Sequence, residues 1–396
     1  MLKQLAVFAV AGVVLTACSD SVNPSDPARL APVAEVSASV QTQIVPNEYI
    51  VVLRTSQVSK AQLPPQAQSI AAAAGAQVTH TYGTALNGFA VRANAAALAA
   101  IRANPNVEYV EPVQVYQTTA TQSPVTWGLD RIDQRNLPLS NSFTYPTGGG
   151  TVHIYIIDTG IRQTHNDFAG RIGTAADFVG GQTPPGNDCN GHGTHVAGTT
   201  GGTTYGILKT AILHAVRVLN CAGSGTTAGV IAGINWVAAN AVAPAVSNMS
   251  LGGGPSTSLD NATTAMVTAG VVSAVAAGNS AANACNYSPA RAAGVITVGA
   301  TTNSDARASF SNFGTCVEIF APGQSITSDW NLSNSSTNTI SGTSMASPHV
   351  AGAAALYRSF NASHTTTQVA NALINNATTG VVGNPGTGSP NRLLYT

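Results

Sequence analysis

Charged side chains are scarce in this sequence. They make up 8% of the 396 residues, the formal net charge is zero, and only three lysines occur, at Lys3, Lys60 and Lys209. No basic run indicates nucleic-acid binding, and no acidic tail indicates a solvating arm. Hydrophobic residues reach 44%. The composition therefore excludes a disordered chain and permits two or three domains with a large core.

The N-terminus lacks an apolar run long enough to span a bilayer. Residues 5–15 are apolar and follow Lys3, but eleven or so residues are too few to cross. We interpret residues 1–17 as a signal peptide. The sequence LTAC resembles a bacterial lipobox, in which Cys18 would carry lipid, while an ordinary secretory peptide is the alternative. Either interpretation predicts export and a secreted, extracellular protein, with the precursor held at a membrane only through Cys18.

The C-x-x-C spacing of common zinc sites is also missing, which disfavours a zinc site. Export permits disulfides, and four cysteines remain after Cys18. They are Cys189, Cys221, Cys285 and Cys316. Four cysteines allow three pairings. Joining neighbours in the sequence would close two loops of similar length, each stabilising by roughly 3–4 kcal/mol in the chain-entropy model.

The pattern along the chain predicts two folded parts after a tether at residues 18–45, which is rich in Ser, Pro and Ala. Strands at 49–53, 76–82, 88–92 and 107–116 alternate with helices at 64–74 and 95–103. This strand–helix–strand–strand–helix–strand order is ferredoxin-like and predicts a small α+β domain.

A second pattern begins near Trp127. Short apolar runs rich in β-branched residues lie at 152–157, 212–218, 246–249, 271–276 and 295–298, separated by helical segments at 194–199, 227–240 and 259–269. Buried strands alternating with helices predict an α/β fold, a parallel sheet with helices on both faces. Ligands in such folds bind at the carboxyl ends of strands. Residues 303–341 are polar and turn-rich and predict no clear element.

Four polar residues fit acyl-transfer chemistry. Asp158 follows a strand in IIDTG, His192 begins a helix in NGHGTHVAGT, and Asn279 follows a strand in AVAAGN. Ser344, in GTSMASPH, precedes an apolar helical pattern, where backbone N–H groups favour developing negative charge. A serine needs a base, an orienting carboxylate and oxyanion donors. The order Asp, His, Ser is that of subtilisin rather than of chymotrypsin or α/β-hydrolases.

Together the motifs DTG, GHGTHVAG, MSLGGG, AAGN and GTSMASPH resemble the subtilase family of serine proteases. Residues 120–396 are most similar to the proteinase K branch and its aqualysin-like members. Residues 46–119, with YIVVL and LNGFAV, resemble the inhibitory propeptide of the family. The resemblance implies a subtilisin-like catalytic domain at 120–396, made as an autoprocessed zymogen that is cut near Thr119–Ala120.

The resemblance also implies roles for residues. Ser344 would be the nucleophile, His192 the general base, Asp158 its orienting partner, and Asn279 an oxyanion donor. Substrate-binding positions would be Gly223, Ser224, Gly225, Ser250, Leu251, Gly252, Gly253, Ala276, Ala277 and Gly278. Small side chains at 276–278 imply a broad preference for bulky apolar residues before the cut. The implied partners are protein and peptide substrates and the chain's own propeptide, and the implied state is a monomer.

Structural Ca²⁺ is implied at one or two sites with hard oxygen ligands. The first would use Asp130, Asp133, Gln134, Ser140 and Ser142. The second would use Glu318 with the carbonyl groups of Ala293 and Val295, although relatives usually carry aspartate where Glu318 stands.

Other interpretations compete with this one. DTG also occurs in aspartic proteases, which need two copies, and this chain has one. His192 and His195 could bind a metal, but no third ligand lies at a suitable spacing, and His195 and His349 fit packing roles. Ser344 lacks the G-x-S-x-G pattern of an α/β-hydrolase, because Ala346 replaces the last glycine. An inactive surface-binding lipoprotein and a secreted esterase remain as alternative functions.

Overall fold

A computed structural model of the protein describes residues 44–116 and 118–396. The predicted signal peptide, Cys18 and nearly all of the predicted tether at 18–45 lie outside the described residues. The described residues divide into two compact units, 44–116 and 118–396. Within the described residues, no helix is both long and apolar enough to cross a membrane.

The first unit has the predicted ferredoxin-like order. Its elements are β1 (Ile44–Leu53), α1 (Leu63–Ala74), β2 (Gln77–Thr81), β3 (Gly88–Arg92), α2 (Ala95–Arg102) and β4 (Val107–Gln114). The antiparallel sheet has the order β2-β3-β1-β4. Leu63 and Ile101 of the helices pack with Val51 and Phe89 of the strands in a buried cluster. The strand β1 begins before the predicted strand at 49–53, inside the segment interpreted as a tether.

The second unit is built around one large sheet. Its strands are β5 (Thr119–Gln122), β6 (Phe143–Pro146), β7 (His153–Asp158), β8 (Ala176–Asp177), β9 (Ile212–Arg217), β10 (Ala245–Met249), β11 (Val271–Ala276), β12 (Ile296–Thr301), β13 (Ile319–Pro322), β14 (Ile326–Asp329), β15 (Thr337–Ile340), β16 (Thr378–Thr379) and β17 (Arg392–Leu393). Its helices are α3 (Trp127–Ile132), α4 (His192–Gly201), α5 (Thr227–Asn240), α6 (Thr257–Thr268), α7 (Thr343–Phe360) and α8 (Thr366–Asn376).

Nine strands form the sheet in the order β16-β17-β13-β12-β11-β10-β7-β9-β8. All neighbours pair in parallel except β16 and β17. The predicted α/β class with a parallel sheet is confirmed. Residues 303–341, which predicted no clear element, contain β13 and the antiparallel hairpin β14–β15.

Both faces of the sheet are buried, as the continuous apolar strands predict. Ile154 and Ile156 of β7 pack on one face with residues of α4 and α7. Tyr155 and Ile157, which alternate with them, pack on the other face with residues of α5 and α6. Helices therefore cover the two faces of the sheet.

The helix α7 lies buried in the first of these layers. Small residues allow it to approach its neighbours closely, because a Cβ atom on Gly352 would stand 2.8 Å from the carbonyl oxygen of Thr200 in α4. Most of its residues, from Met345 onward, are buried. The N-terminus of α7 is thereby fixed relative to α4 and the sheet.

Two disulfides join loops of the second unit. Cys189 pairs with Cys221 and Cys285 pairs with Cys316, which is the pairing of sequence neighbours. The first disulfide connects the loop before α4 with the loop after β9. The first loop leads directly into His192, the first residue of α4, and the second contains the segment at 222–225.

Acid should destabilise the second unit through its buried histidines. Burial lowers the pKa of His195 to about 3 and those of His214 and His349 to about 4, whereas an unfolded histidine titrates near 6.5. Between these values the unfolded chain binds more protons, so the free energy of unfolding falls as the pH falls. The expected loss is roughly 3 kcal/mol each for His214 and His349 and about 5 kcal/mol for His195, visible as a lower melting temperature in calorimetry.

The variant His349→Asn isolates one of these groups. Its side chain does not titrate, so its melting temperature should depend less on pH than that of the unchanged protein between about pH 6.5 and pH 4. An equal pH dependence in the two proteins would contradict a neutral, buried His349.

Candidate active site

The predicted catalytic residues lie at the carboxyl ends of neighbouring parallel strands. Asp158 is the last residue of β7, Ser250 follows β10, and Asn279 lies three residues beyond the end of β11. Since β11, β10 and β7 are adjacent in the sheet, the segments that follow them meet at one edge. The helix α7 brings Ser344 to the same edge of the sheet, where Ser344 and Ser250 form two hydrogen bonds.

Asp158 and His192 form a buried pair. Nδ1 of His192 lies 2.7 Å from Oδ1 of Asp158, whose side chain is fully buried, while the imidazole is partly exposed. The backbone N–H of Thr159 also donates to Oδ1. Burial alone would lower the pKa of His192, but the charge and hydrogen bond of Asp158, and the charge of Asp188, raise it. The pair therefore favours an imidazolium at His192.

Asp188 holds the loop that precedes His192, and sequence reasoning missed it. One carboxylate oxygen accepts hydrogen bonds from the backbone N–H groups of Asn190 and Gly191 and from the Thr159 hydroxyl. The other accepts both the N–H and the hydroxyl of Thr194. Five donors on a buried carboxylate fix the start of α4. The only signal in the sequence was the spacing of a turn, in which an aspartate side chain accepts N–H groups two and three residues further on, here those of Asn190 and Gly191.

Ser344 is the second residue of α7. Its Oγ donates to the carbonyl oxygen of Ser250 at 3.1 Å. Its backbone N–H belongs to the first turn of the helix, where N–H groups have no intrahelical acceptor. The same turn carries the positive end of the helix dipole, which favours negative charge nearby. Ser344 thus presents a hydroxyl and an N–H donor at a helix start.

The amide of Asn279 is oriented by Thr343. Its Oδ1 accepts the backbone N–H of Thr343 at 2.8 Å and the Thr343 hydroxyl at 2.9 Å. These two bonds leave Nδ2 as the group that faces Gly342. A Cβ atom on Gly342 would stand 3.4 Å from Nδ2 of Asn279 and 3.5 Å from the backbone nitrogen of Ser344. Nδ2 of Asn279 and the backbone nitrogen of Ser344 therefore lie close to the same point beside Gly342.

One cleft contains His192, Asn279 and Ser344 together with all ten predicted substrate-binding residues. The latter are Gly223, Ser224, Gly225, Ser250, Leu251, Gly252, Gly253, Ala276, Ala277 and Gly278. A side chain at Gly225 would collide with the carbonyl oxygen of Val218, at 2.4 Å from a Cβ atom. Tyr287 and Leu259 also line the cleft and were not predicted from the sequence.

The first disulfide lies beside this cleft. Asn190, next to Cys189, donates from Nδ2 to the carbonyl oxygen of Cys221. The guanidinium of Arg217 lies 3.5 Å from Sγ of Cys189 and forms an ion pair with Asp177. These contacts connect the loop of His192 with the segment at 222–225 along the cleft.

The first predicted calcium site is a cluster of oxygen atoms around the loop after α3. Asp130 accepts hydrogen bonds from the N–H and hydroxyl of Ser140, and that hydroxyl lies 2.8 Å from the hydroxyl of Ser142. Gln134 accepts the Ser140 N–H through Oε1. Within the described residues, Oδ1 of Asp133 is buried without a hydrogen-bond partner. Burial, with a smaller contribution from the charge of Asp130, raises the pKa of Asp133 to about 6. This donor set fits a hard cation.

The second predicted calcium site is less complete. Glu318 accepts the N–H of Thr297 through one oxygen, and burial raises its pKa to about 7. The carbonyl oxygen of Ala293 accepts the hydroxyl of Thr264, and Val295 directly precedes β12. Nowhere in residues 44–116 and 118–396 do three or more His, Cys, Asp and Glu side chains form a group that could hold a metal. Both predicted calcium sites would thus depend on carbonyl, amide or hydroxyl oxygens in addition to carboxylates.

Comparison with known protein families assigns both units. The profile of the Subtilase family matches residues 149–392. A second profile, Peptidase inhibitor I9, matches residues 48–119. The first match spans more than half of the chain and contains the four predicted catalytic residues.

Individual relatives agree with this assignment. The chain is 52% identical to an extracellular serine proteinase of Thermus sp. (strain Rt41A), over 97% of this chain and 96% of that protein. It is 47% identical to alkaline serine exoprotease A of Vibrio alginolyticus, over 89% of this chain and 67% of the relative.

A solved structure is similar as well. It is the crystal structure of a cold adapted subtilisin-like serine proteinase, 52% identical, with a TM-score of 0.67, matched over 69% of this chain and 98% of that one. The chain therefore belongs to the subtilase family: it is a subtilisin-like serine endopeptidase whose subtilase segment follows a peptidase inhibitor I9 segment.

Proposed function

We propose that this protein hydrolyses peptide bonds with Ser344 as nucleophile, His192 as general base and Asp158 as the partner of the imidazole. One observation carries the proposal: His192, paired with the buried Asp158, lines the same cleft as Ser344 and the donors of Asn279. Oγ of Ser344 would attack the scissile carbonyl while His192 takes its proton and later gives it to the leaving amine. Asp158 stabilises the imidazolium that forms.

The oxyanion would be stabilised by Nδ2 of Asn279 and the backbone N–H of Ser344. Two bonds from Thr343 hold the Asn279 amide in place before substrate arrives, so little reorganisation is needed when charge develops. The start of α7 adds the positive end of its dipole. Such preorganised donors act mainly on the transition state and therefore on kcat.

The substrate would be an extended peptide that lies along residues 223–225 and 250–253. Glycines in both segments allow one backbone to approach another closely, as in strand addition. Ala276, Ala277 and Gly278 line the cleft with little side-chain volume. We therefore expect a broad preference for bulky apolar residues before the cut.

The I9 segment would act as an intramolecular inhibitor that is removed by autoprocessing near Thr119–Ala120. Both residues belong to β5, where they pair with Pro146 and Tyr145 of β6. This pairing must open before the bond could enter a cleft, and after the cut only the part of β5 from Ala120 onward would remain to pair with β6. The relative of Thermus sp. (strain Rt41A), which is named extracellular, supports secretion. Lipid on Cys18 would then anchor only the precursor, and the mature enzyme would be a released monomer.

Calcium would serve stability rather than catalysis. Asp130, Asp133, Gln134, Ser140 and Ser142 would hold one ion, and Glu318 with the Ala293 and Val295 carbonyl groups would hold another. Bound Ca²⁺ would supply positive charge to Asp133 and Glu318, whose ionised forms burial disfavours.

The variant Ser344→Ala should abolish hydrolysis of casein and of peptide substrates and leave the precursor uncut. The reason is that the variant lacks the attacking hydroxyl, while the hydroxyl of the neighbouring Thr343 is already engaged with Asn279. Hydrolysis is measured by release of soluble peptides, and the precursor by intact mass. Ser335→Ala, an exposed serine in the loop before β15, should behave as the unchanged protein. A mature band from Ser344→Ala would contradict autoprocessing by Ser344.

The variant Asn279→Ala should lower kcat by about 10²–10³ and leave KM nearly unchanged, because one oxyanion donor is lost. Steady-state kinetics with a peptide nitroanilide measure both constants. A change confined to KM would instead place Asn279 in ground-state binding.

Removal of calcium by a chelator should speed thermal inactivation of the mature enzyme. Asp133→Asn keeps the side-chain shape and loses its charge, so this variant should inactivate faster and respond less to chelator. Glu318→Gln tests the second site in the same way. Residual activity after heating provides the measurement, and equal inactivation rates with and without chelator would remove calcium from the proposal.

A further inference from the structure

The helix α7 has a proline at a position that affects Ser344. In an α-helix the carbonyl oxygen of residue 344 accepts the N–H of residue 348. Residue 348 is Pro348, which has no N–H, and its ring crowds the carbonyl group four residues before it. A carbonyl group left without a donor at a buried helix start is costly. Some other group must therefore satisfy the carbonyl oxygen of Ser344.

Ser250 supplies that hydrogen bond. Its hydroxyl lies 2.7 Å from the carbonyl oxygen of Ser344. A carbonyl oxygen can only accept, so the single hydrogen of the Ser250 hydroxyl points to it. A second hydrogen bond runs in the opposite direction: Oγ of Ser344 donates to the carbonyl oxygen of Ser250 at 3.1 Å. Ser250 is thus in contact with both the backbone and the side chain of the nucleophile.

Two further buried side chains extend this series of hydrogen bonds. Nδ2 of Asn248 donates to the Ser250 hydroxyl at 2.9 Å, and the hydroxyl of Ser347 donates to Oδ1 of Asn248 at 2.7 Å. Asn248 and Ser347 are fully buried, and Ser250 is 3% exposed. Because Ser250 must donate to Ser344, it must accept from Asn248, and this requirement fixes the orientation of the Asn248 amide.

The bonds form a closed circuit between helix and sheet. It leaves α7 at Ser347, crosses to β10 at Asn248, and returns to α7 at Ser344 through Ser250. Neither Asn248 nor Ser347 is among the residues that line the cleft. Holding the Ser344 carbonyl restricts rotation of its backbone, and the same residue carries the attacking hydroxyl and an oxyanion donor.

We propose that Asn248 and Ser347 are positioning residues for the nucleophile, acting on Ser344 through the hydroxyl of Ser250. This inference rests on the proposed function of Ser344. The circuit replaces the helix hydrogen bond that Pro348 cannot make, and it sets where the Ser344 hydroxyl and N–H point. Loss of the circuit therefore acts on the reaction of Ser344 more than on substrate binding.

The test compares Ser347→Ala with Ser347→Thr in the mature enzyme. Ser347→Ala removes the first donor, and Ser347→Thr keeps a hydroxyl in the same place. We expect Ser347→Ala to lower kcat by between about tenfold and a hundredfold, since small misplacement of a reacting group has large effects. KM should stay within about twofold.

A small phosphonyl fluoride, which needs little of the cleft, should react with Ser344 of this variant more slowly by a similar factor. Ser347→Thr should restore both rates.

The matched control is Ser273→Ala. Ser273 accepts a buried hydrogen bond from Ser247, the residue before Asn248 in β10, but this bond does not lead to Ser344. The variant Ser273→Ala should lower the melting temperature while kcat and the phosphonylation rate stay unchanged. If Ser347→Ala also lowers only the melting temperature, the circuit is structural and the inference is overturned.

Two further arms keep the outcomes distinct. If Ser347→Ala does not fold, Ser250→Ala tests the last bond, because it removes the hydroxyl and keeps the backbone carbonyl; an unchanged phosphonylation rate in Ser250→Ala overturns the inference. The unchanged enzyme must itself be phosphonylated at Ser344, as determined by mass spectrometry. If Ser344 of the unchanged enzyme is not phosphonylated, the proposed function is refuted. If all variants are phosphonylated at equal rates, only the positioning role is refuted.

Discussion

The hydrogen bond between Asp158 and His192 is the interaction on which the site depends. A fully buried carboxylate is unfavourable unless it is paired and hydrogen-bonded, so Asp158 requires the imidazole and the N–H of Thr159 around it. The pair joins the end of a central strand to the start of α4. Asp188 fixes the loop between them, and the disulfide of Cys189 connects that loop to the segment along the cleft. The fold therefore holds His192, the proposed base, before any substrate is present.

The opposite side of the cleft depends on a second set of constraints, centred on the start of α7. Small residues let this helix lie buried against the sheet and α4, so its first turn cannot shift freely. Thr343 orients Asn279 from one side, and Ser250 holds the backbone of Ser344 from the other. The proposed oxyanion donors and the proposed nucleophile are thus positioned by side chains that are themselves hydrogen-bonded, which is the condition for preorganised catalysis.

Much of this architecture follows from short-range patterns in the sequence. Apolar, β-branched runs predicted five strands of the sheet, and residues directly after strands or at helix starts predicted Asp158, His192, Asn279 and Ser344 as a group. Contacts between distant segments escaped prediction. The hairpin β14–β15 lies in a polar stretch where cross-strand pairing, rather than hydrophobic alternation, defines the strands. Asp188 looks like a turn aspartate in the sequence, and its bonds to Thr159 and Thr194 become visible only in the folded loop.

Pro348 shows why the remaining part could not be predicted. Judged locally, a proline inside a helix is a defect, because it removes a hydrogen bond and crowds the preceding turn. The folded protein compensates through Ser250, which lies 94 residues before Ser344 in the sequence, and through Asn248 on the buried strand β10. A network of buried polar side chains is unfavourable unless each polar group has a hydrogen-bond partner. Its presence in the core therefore indicates a requirement on geometry that apolar packing alone does not meet. Departures from local rules are expected where function sets the geometry, and this one ends on the residue proposed to attack the substrate.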